Sequence, residues 1–287
     1  MLKVAFVDIS NLARSQIAAA ICKKLAPDIF EVYSVGKELK SIDKNIKKIM
    51  KEIYDIDMDK NQYTKLISEI PKVDIIVSTG GETFLDNSRK FDEKFKLKDI
   101  DGKNEDELKE IIFNIEEKVI KFIKKYEKYE RANHTFEPIY DENSRILILG
   151  SFPSVKSREE SFYYGHPRNR FWEVVSKITK TELPHNIDEK KSMLLKNNIA
   201  IWDVIKSCII KGSSDSSIKD VEVNDINTII KNSKVEKLYA NGDKAFKLYN
   251  KYCKNDIGIE IEKLPSTSPA NAAYSMEKLI DEWKIIK

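Results

Sequence analysis

The sequence predicts an α/β protein made of two three-layer α/β/α domains, each with a parallel central sheet of about four strands. Three observations carry that expectation. Short apolar runs rich in Val and Ile alternate with longer segments of helical spacing along the whole 287-residue chain, which is the pattern of βαβ units. A polar stretch near residues 130–135 interrupts the alternation, which then resumes. The length itself suits two domains as readily as one. The expected domains are residues 1–130 and 135–287.

In the first, Lys3–Val7 reads as a short buried strand and Leu12–Leu25 as an Ala-rich helix stopped by Pro27. Phe30–Ser34 follows as a strand, Ile42–Tyr54 as an amphipathic helix, and Val73–Val77 as a strand closed by Ser78, Thr79, Gly80 and Gly81. Glu105–Tyr129 repeats apolar residues at Ile111, Ile112, Ile115, Val119, Phe122 and Ile123, a long helix with Lys and Glu on its outer face. Beyond the polar stretch, strands are expected at Ile146–Leu149, Ile199–Trp202, Val235–Ala240 and Ile259–Leu264. Helices are expected near Arg170–Thr179, Val223–Asn232, Lys244–Tyr252 and Ala272–Ile285.

Composition narrows function less than pattern does. Residues 1–130 hold 25 basic and 25 acidic side chains, so the net charge of +3 belongs to the remainder. That excess permits a local basic groove without requiring one. No run of 18 apolar residues exists and the N-terminus MLKVAFVDIS lacks a signal-peptide pattern, so a cytoplasmic protein without a membrane partner is expected. Cys22, Cys208 and Cys253 form no CxxC pair, and His134, His166 and His185 show no zinc spacing, so no metal and no cofactor are expected.

Chemistry concentrates in loops that follow strands, where open α/β sheets bind ligands. After Ile146–Leu149 comes Gly150-Ser151-Phe152-Pro153-Ser154, in which glycine permits close approach and proline stiffens. The segment from Ser161 to Trp172 interleaves Phe162, Tyr163 and Tyr164 with His166, Arg168, Asn169 and Arg170; aromatic faces stack on bases and arginine contacts phosphate. Ser266-Thr267-Ser268-Pro269-Ala270-Asn271 follows the Ile259–Leu264 strand as a rigid loop of small hydroxyls, in which Ser268 or Asn271 could also cap the last helix.

The runs GSFPSVKS, SFYYGHPRNRFW, WDVIKSC, YANGDKAF and LPSTSPANA together resemble the hypoxanthine-DNA glycosylase branch of the uracil-DNA glycosylase superfamily, over about residues 136–287. The resemblance implies removal of a deaminated base (hypoxanthine, with uracil and xanthine open) from damaged DNA by base flipping and water attack, leaving an abasic site, in base-excision repair. It places the first superfamily motif on Gly150–Ser154, which here has no acidic residue, and the branch's asparagine on Asn169, with Ser151 and His166 as further catalytic candidates. Phe152, Tyr163, Tyr164, Trp202 and Asp203 are the expected base-binding residues. Gly150, Pro153, Ser154, Arg168 and the loop Ser266, Thr267, Ser268, Pro269, Ala270 and Asn271 are the expected DNA contacts. No lysine is placed as a Schiff-base nucleophile, so a monofunctional hydrolase is implied.

The N-terminal run FVDISNLARSQIAAA, with EVYSVGKE and LKDIDGKNEDEL, resembles the low-molecular-weight protein tyrosine phosphatases and related arsenate reductases over about residues 1–128. Asp8, Asn11, Arg14 and Ser15 fall on that family's phosphate loop, but Asp8 stands where the family has its nucleophilic cysteine. The implied domain is phosphatase-like and inactive, with protein or phosphate contact as its remaining role; phosphatase or arsenate reductase activity is the alternative that Asp8 disfavours. A binding protein with both sites decayed is the third possibility.

Overall fold

A computed structural model of the chain describes residues 1–8, 12–36, 42–60, 65–80 and 90–287. The chain divides into two compact units, Met1–Arg131 and Ala132–Lys287.

The first unit is built from β1 (Leu2–Asp8), α1 (Leu12–Leu25), β2 (Phe30–Gly36), α2 (Lys44–Tyr54), β3 (Ile75–Gly80), β4 (Glu93–Lys94) and α3 (Glu105–Tyr126). Its sheet runs β2-β1-β3-β4 with every neighbouring pair parallel. Side chains alternate across the sheet. Ala5 and Val7 join Val35, Val73 and Ile76 on one face, whereas Phe6 meets Phe95 and Phe122 on the other. Helix α3 starts in a reciprocal capping box between Asn104 and Glu107. It ends three residues short of the helix expected from the sequence, because Tyr126 is the last position of its buried stripe.

Strand β5 (Glu130–Asn133) straddles the division between the units. In the second unit come β6 (Ile146–Gly150), α4 (Val155–Glu159), α5 (Phe171–Thr179), α6 (Ile187–Lys196), β7 (Ile199–Asp203), β8 (Ile205–Ile210) and β9 (Lys219–Val223). They are followed by α7 (Ile226–Lys231), β10 (Lys237–Asn241), α8 (Asp243–Tyr252), α9 (Lys254–Ile257), β11 (Ile261–Leu264) and α10 (Met276–Trp283). The main sheet is ordered β11-β10-β6-β7 and is parallel throughout. It separates two cores. Leu147, Leu149, Ala200, Leu238 and Ala240 pack on one face; Ile148, Ile199, Ile201 and Tyr239 pack on the other, against Phe171, Trp172, Leu279 and Trp283. From β6 the chain passes to β7 on one side and later returns to β10 on the other, so the strand order reverses between β6 and β10 and opens a crevice at their carboxyl ends.

Two expectations are corrected. Val223 does not begin a helix: it ends β9, which pairs antiparallel with β8. The turn after it is held by Asn224, whose Nδ2 donates to the carbonyls of Asp203 (2.9 Å) and Ile205 (3.1 Å). The last helix begins at Met276, capped by Ser275, not by Ser268 or Asn271. Among the described residues, no helix is long and apolar enough to cross a membrane, and no group of three His, Cys, Asp or Glu could hold a metal ion.

Candidate active site

A cavity of about 310 Å³ opens at the carboxyl ends of the second unit's sheet. All four strands deliver residues to it: Gly150 ends β6, Asp203 ends β7, Asn241 ends β10, and the loop from Ser266 to Ala270 follows β11. Glycine is required at the first of these. A Cβ on Gly150 would lie 2.0 Å from Oδ1 of Asp203. The carboxylate occupies the space that a side chain would need, with Oδ1 against the β6 backbone. Its Oδ2 lies 2.9 Å from Nε2 of His134, and both side chains are buried. A buried carboxylate left without a hydrogen-bonding partner would be costly, and His134 supplies one.

Asn169 sits in a lattice of fixed donors. Its Oδ1 accepts from the Phe171 N–H at 3.0 Å, at the start of α5, and from the Thr267 hydroxyl at 3.0 Å. The same hydroxyl accepts from Nδ2 of Asn241 at 2.9 Å, and Oδ1 of Asn241 accepts from the Thr267 N–H at 2.9 Å. With both lone-pair directions of Oδ1 taken, Asn169 offers the cavity its Nδ2 hydrogens and no acceptor. Thr267, fully buried, is the residue through which the β10 and β11 ends hold Asn169.

Arg170 makes the β11 loop rigid. Its guanidinium donates to the carbonyls of Ser268 (2.9 Å), Asn271 (3.0 Å) and Tyr274, with a longer contact to Thr267 (3.4 Å). Within the loop, Oγ of Ser266 accepts from the Ser268 N–H and Oγ of Ser268 from the Ala270 N–H. Gly242, at φ 101°, brings the chain so close to Ser266 that a Cβ there would lie 2.9 Å from the serine's Cβ.

The aromatic wall comes from Phe152, Tyr163 and Tyr164. Tyr164 adopts a left-handed backbone at φ 51° and stacks on Phe171 with ring centroids 4.0 Å apart. Such a backbone costs of order 1–3 kcal/mol and is held here by packing. Burial pushes the hydroxyls of Tyr163 and Tyr164 far above the usual phenol range, with the Asp203 charge adding to it, so both remain protonated. Tyr163 donates to the Glu137 carbonyl at 2.9 Å. His166 accepts the Arg168 N–H at Nδ1 (3.1 Å), so Nε2 carries the proton of the neutral ring.

Of the residues singled out in the sequence, Gly150 to Ser154, Tyr163, Tyr164, His166, Asn169, Asp203 and Ser266 to Ala270 all line this cavity. Three do not. Trp202 precedes Asp203 on β7, and strand alternation turns it away to pack against both cores. Arg168 is exposed outside the cavity. Asn271 is spent on the loop itself, its Nδ2 donating to the Ser266 carbonyl at 2.8 Å. Four residues were missed: His134, Arg170 as the loop clamp, Asn241 and Asp215. Oδ1 of Asp215 accepts from the Ser151 hydroxyl at 2.9 Å, and Ser213 beside it accepts the Val155 N–H at 2.9 Å. Only the strand-end position of Asn241 could have signalled itself.

In the first unit, Asp8 and Arg14 form a buried pair. Nε of Arg14 donates to Oδ2 at 2.8 Å and the far guanidinium nitrogen to Oδ1 at 3.1 Å. Gly80 leaves room for that guanidinium: a Cβ there would meet it at 2.1 Å. Ser15 is buried and shares a 3.0 Å hydrogen bond with Ser34. Asn11 and Gly81 lie outside the described residues.

A parallel sheet whose four strand ends converge on one polar cavity, with aromatic rings on its wall, is the architecture of an α/β enzyme with its site at the switch point. The family model of the Uracil DNA glycosylase superfamily matches residues 137–287, and the chain belongs to that superfamily. Among curated relatives, a hypoxanthine DNA glycosylase of Methanosarcina acetivorans is 39% identical over 153 residues, 53% of this chain and 95% of that protein. One of Methanosarcina barkeri is 42% identical over 90 residues, 31% of this chain and 57% of that protein. For the first unit, a solved arsenate reductase in its phosphate-binding state is 26% identical, covering 44% of this chain and 98% of that chain, with a TM-score of 0.38.

Proposed function

We propose that the second unit hydrolyses the N-glycosidic bond of deoxyinosine in DNA, releasing hypoxanthine and leaving an abasic site. The observation that supports this most is the pairing of groups in the cavity: a carboxylate acceptor, Asp203, together with an amide that presents only donors, Asn169. The Watson–Crick edge of hypoxanthine is an N–H beside a C=O, which needs an acceptor and a donor. Adenine reverses the order, so an ionised Asp203 would face a ring nitrogen lone pair. An extruded base pays for its unstacking with stacking and edge contacts; Phe152 and Tyr163 supply the flat surface. The Ser266–Ala270 loop, stiffened by Arg170, is suited to press on the phosphodiester backbone while the nucleotide is held out.

As the C–N bond lengthens, positive charge grows on the sugar and negative charge on the base. The Nδ2 hydrogens of Asn169 and the Nε2–H of His166 are donors within reach of an anionic base or of a water oxygen. Uracil carries the same N–H and C=O edge and is the second substrate of this reading. The first unit, in this reading, is a phosphatase-like domain without turnover, because the carboxylate of Asp8 consumes the arginine that would grip phosphate.

The test is release of base from oligonucleotides with one hypoxanthine, followed by alkaline cleavage. The wild type should cut and Asn169→Ala should lose at least about 100-fold. A wild type that cuts no hypoxanthine, uracil or xanthine substrate refutes the assignment. Hydrolysis of p-nitrophenyl phosphate that disappears in Arg14→Ala refutes the inert reading of the first unit.

A further inference from the structure

The motif loop Gly150–Ser154 contains no acid, yet a carboxylate stands over it. We propose that Asp215, delivered from the turn between β8 and β9, is a catalytic carboxylate that accepts the proton of the water attacking the sugar. The proposal rests on the hydrolytic reading above.

Asp215 lines the same cavity as Asn169 and Asp203, and these two aspartates are the carboxylates that do so among the described residues. Its Oδ1 is anchored by the Ser151 hydroxyl, and the turn is pinned a second time where Ser213 accepts the Val155 N–H. The turn is ordered from within: Oγ of Ser217 accepts from the Lys211 N–H and donates to the Ser214 carbonyl. Oδ2 of Asp215 makes no hydrogen bond among the described residues. The side chain is open to solvent on one side, so water reaches it, while its other side faces the cavity.

The alternatives in the cavity are already committed. Asn169 has no free acceptor, so it can grip a water oxygen but cannot take its proton. Asp203, held by His134 through Oδ2, is already assigned to the base edge in the hydrolytic reading. Loss of hydration on the cavity side raises the pKa of Asp215 above the usual carboxylate range, and the Asp203 charge raises it further; the Ser151 hydroxyl and the Lys244 ammonium pull it down. Among the described residues, the cavity lining adds His166, Tyr163 and Tyr164 to these titratable groups. A carboxylate with a raised pKa is a stronger proton acceptor once it is ionised.

In the step itself, the C1′–N9 bond breaks and its electron pair leaves with the base. The water oxygen bonds to C1′, and the water proton passes to Asp215. That proton then returns through solvent to the base anion, so the sum is one water consumed per base released and Asp215 is regenerated.

The test uses the full chain in single-turnover release from hypoxanthine DNA between pH 5 and 9. The wild-type rate should rise with pH and level off once Asp215 is ionised. Asp215→Asn should fall by about 100-fold at the plateau and lose the acid limb. Lys244→Gln should keep the plateau and move the limb to higher pH, because removing the cation raises the carboxylate's pKa. An Asp215→Asn protein within threefold of wild type overturns the proposal. So does one that is slower but keeps the limb, which would assign the limb to Asp203 or His166 and leave Asp215 as support for Ser151. A limb unmoved in Lys244→Gln also overturns it. If the wild type releases none of hypoxanthine, uracil or xanthine, the hydrolytic reading fails and this proposal falls with it; the other outcomes sink the proposal alone.

Discussion

Replacing Thr267 by Val keeps the shape of the side chain and deletes one hydroxyl, which isolates the role of that hydroxyl in the site. The hydroxyl donates to Asn169 at 3.0 Å and accepts from Asn241 at 2.9 Å, and the residue is fully buried. Two neutral hydrogen bonds are lost at about 1 kcal/mol each, and the Asn241 amide is left with a buried N–H short of a partner at about 1 kcal/mol more. The sum, about 3 kcal/mol, corresponds to about 100-fold if it falls on the geometry of Asn169. Thr267→Ser restores the hydroxyl and should recover most of the loss.

Stability and rate can be read separately in this molecule. Its three tryptophans, Trp172, Trp202 and Trp283, all lie in the second unit, so urea unfolding followed by tryptophan fluorescence reports that unit alone. Single-turnover base release reports the site. Thr267→Val indistinguishable from wild type in both, or Thr267→Ser as impaired as Thr267→Val, would refute the reasoning, since either result detaches the hydroxyl from the effect.

Three further outcomes follow from contacts described above. Gly150→Ala should cost about 100-fold in base release, since the new methyl must displace the Asp203 carboxylate from a 2.0 Å overlap; an active Gly150→Ala enzyme would remove Asp203 from base recognition. Asp8→Asn strands the buried Arg14 cation and should destabilise the first unit by about 3 kcal/mol, seen in calorimetry, while base release is unchanged. Burial pushes the Cys22 thiol up to about 12 and the Cys253 thiol up to about 11, and Cys208 is wholly buried, so mass spectrometry should find all three unalkylated by iodoacetamide at pH 8 until the chain is unfolded.

What could be read from the sequence follows the range of the interactions. Helix Leu12–Leu25 and the strand at Ile146 are written locally, in periodicity and in Gly or Pro boundaries, and they appear where expected. Strand β8 was not legible. Its apolar run continues directly from β7 through buried Val204, and only the hydrogen bonds of Val204 and Ile205 to the Gly150 and Ser151 carbonyls show that one strand ends and another begins. The site divides in the same way. Asn169 and the Ser266–Asn271 loop stand in recognisable motifs, but Asp215 is 64 residues from the serine that anchors it and sits in a polar stretch, GSSDSS, that looks like any surface turn. His134 is 69 residues from Asp203, in what reads as a linker. Arg168 and Arg170 stand two positions apart in one motif, and a sequence does not show which of two arginines folds inward.

The Asp8–Arg14 pair also bears on how the first unit responds to its surroundings. An arginine that waits for a dissolved anion makes its domain's stability a function of that anion's concentration, by mass action. Here the counter-ion is carried in the chain at 2.8 Å, and its occupancy cannot be diluted. If that pair fills the anion site, the first unit's melting temperature should not move when phosphate or arsenate is titrated in, and a rise with either anion would refute this.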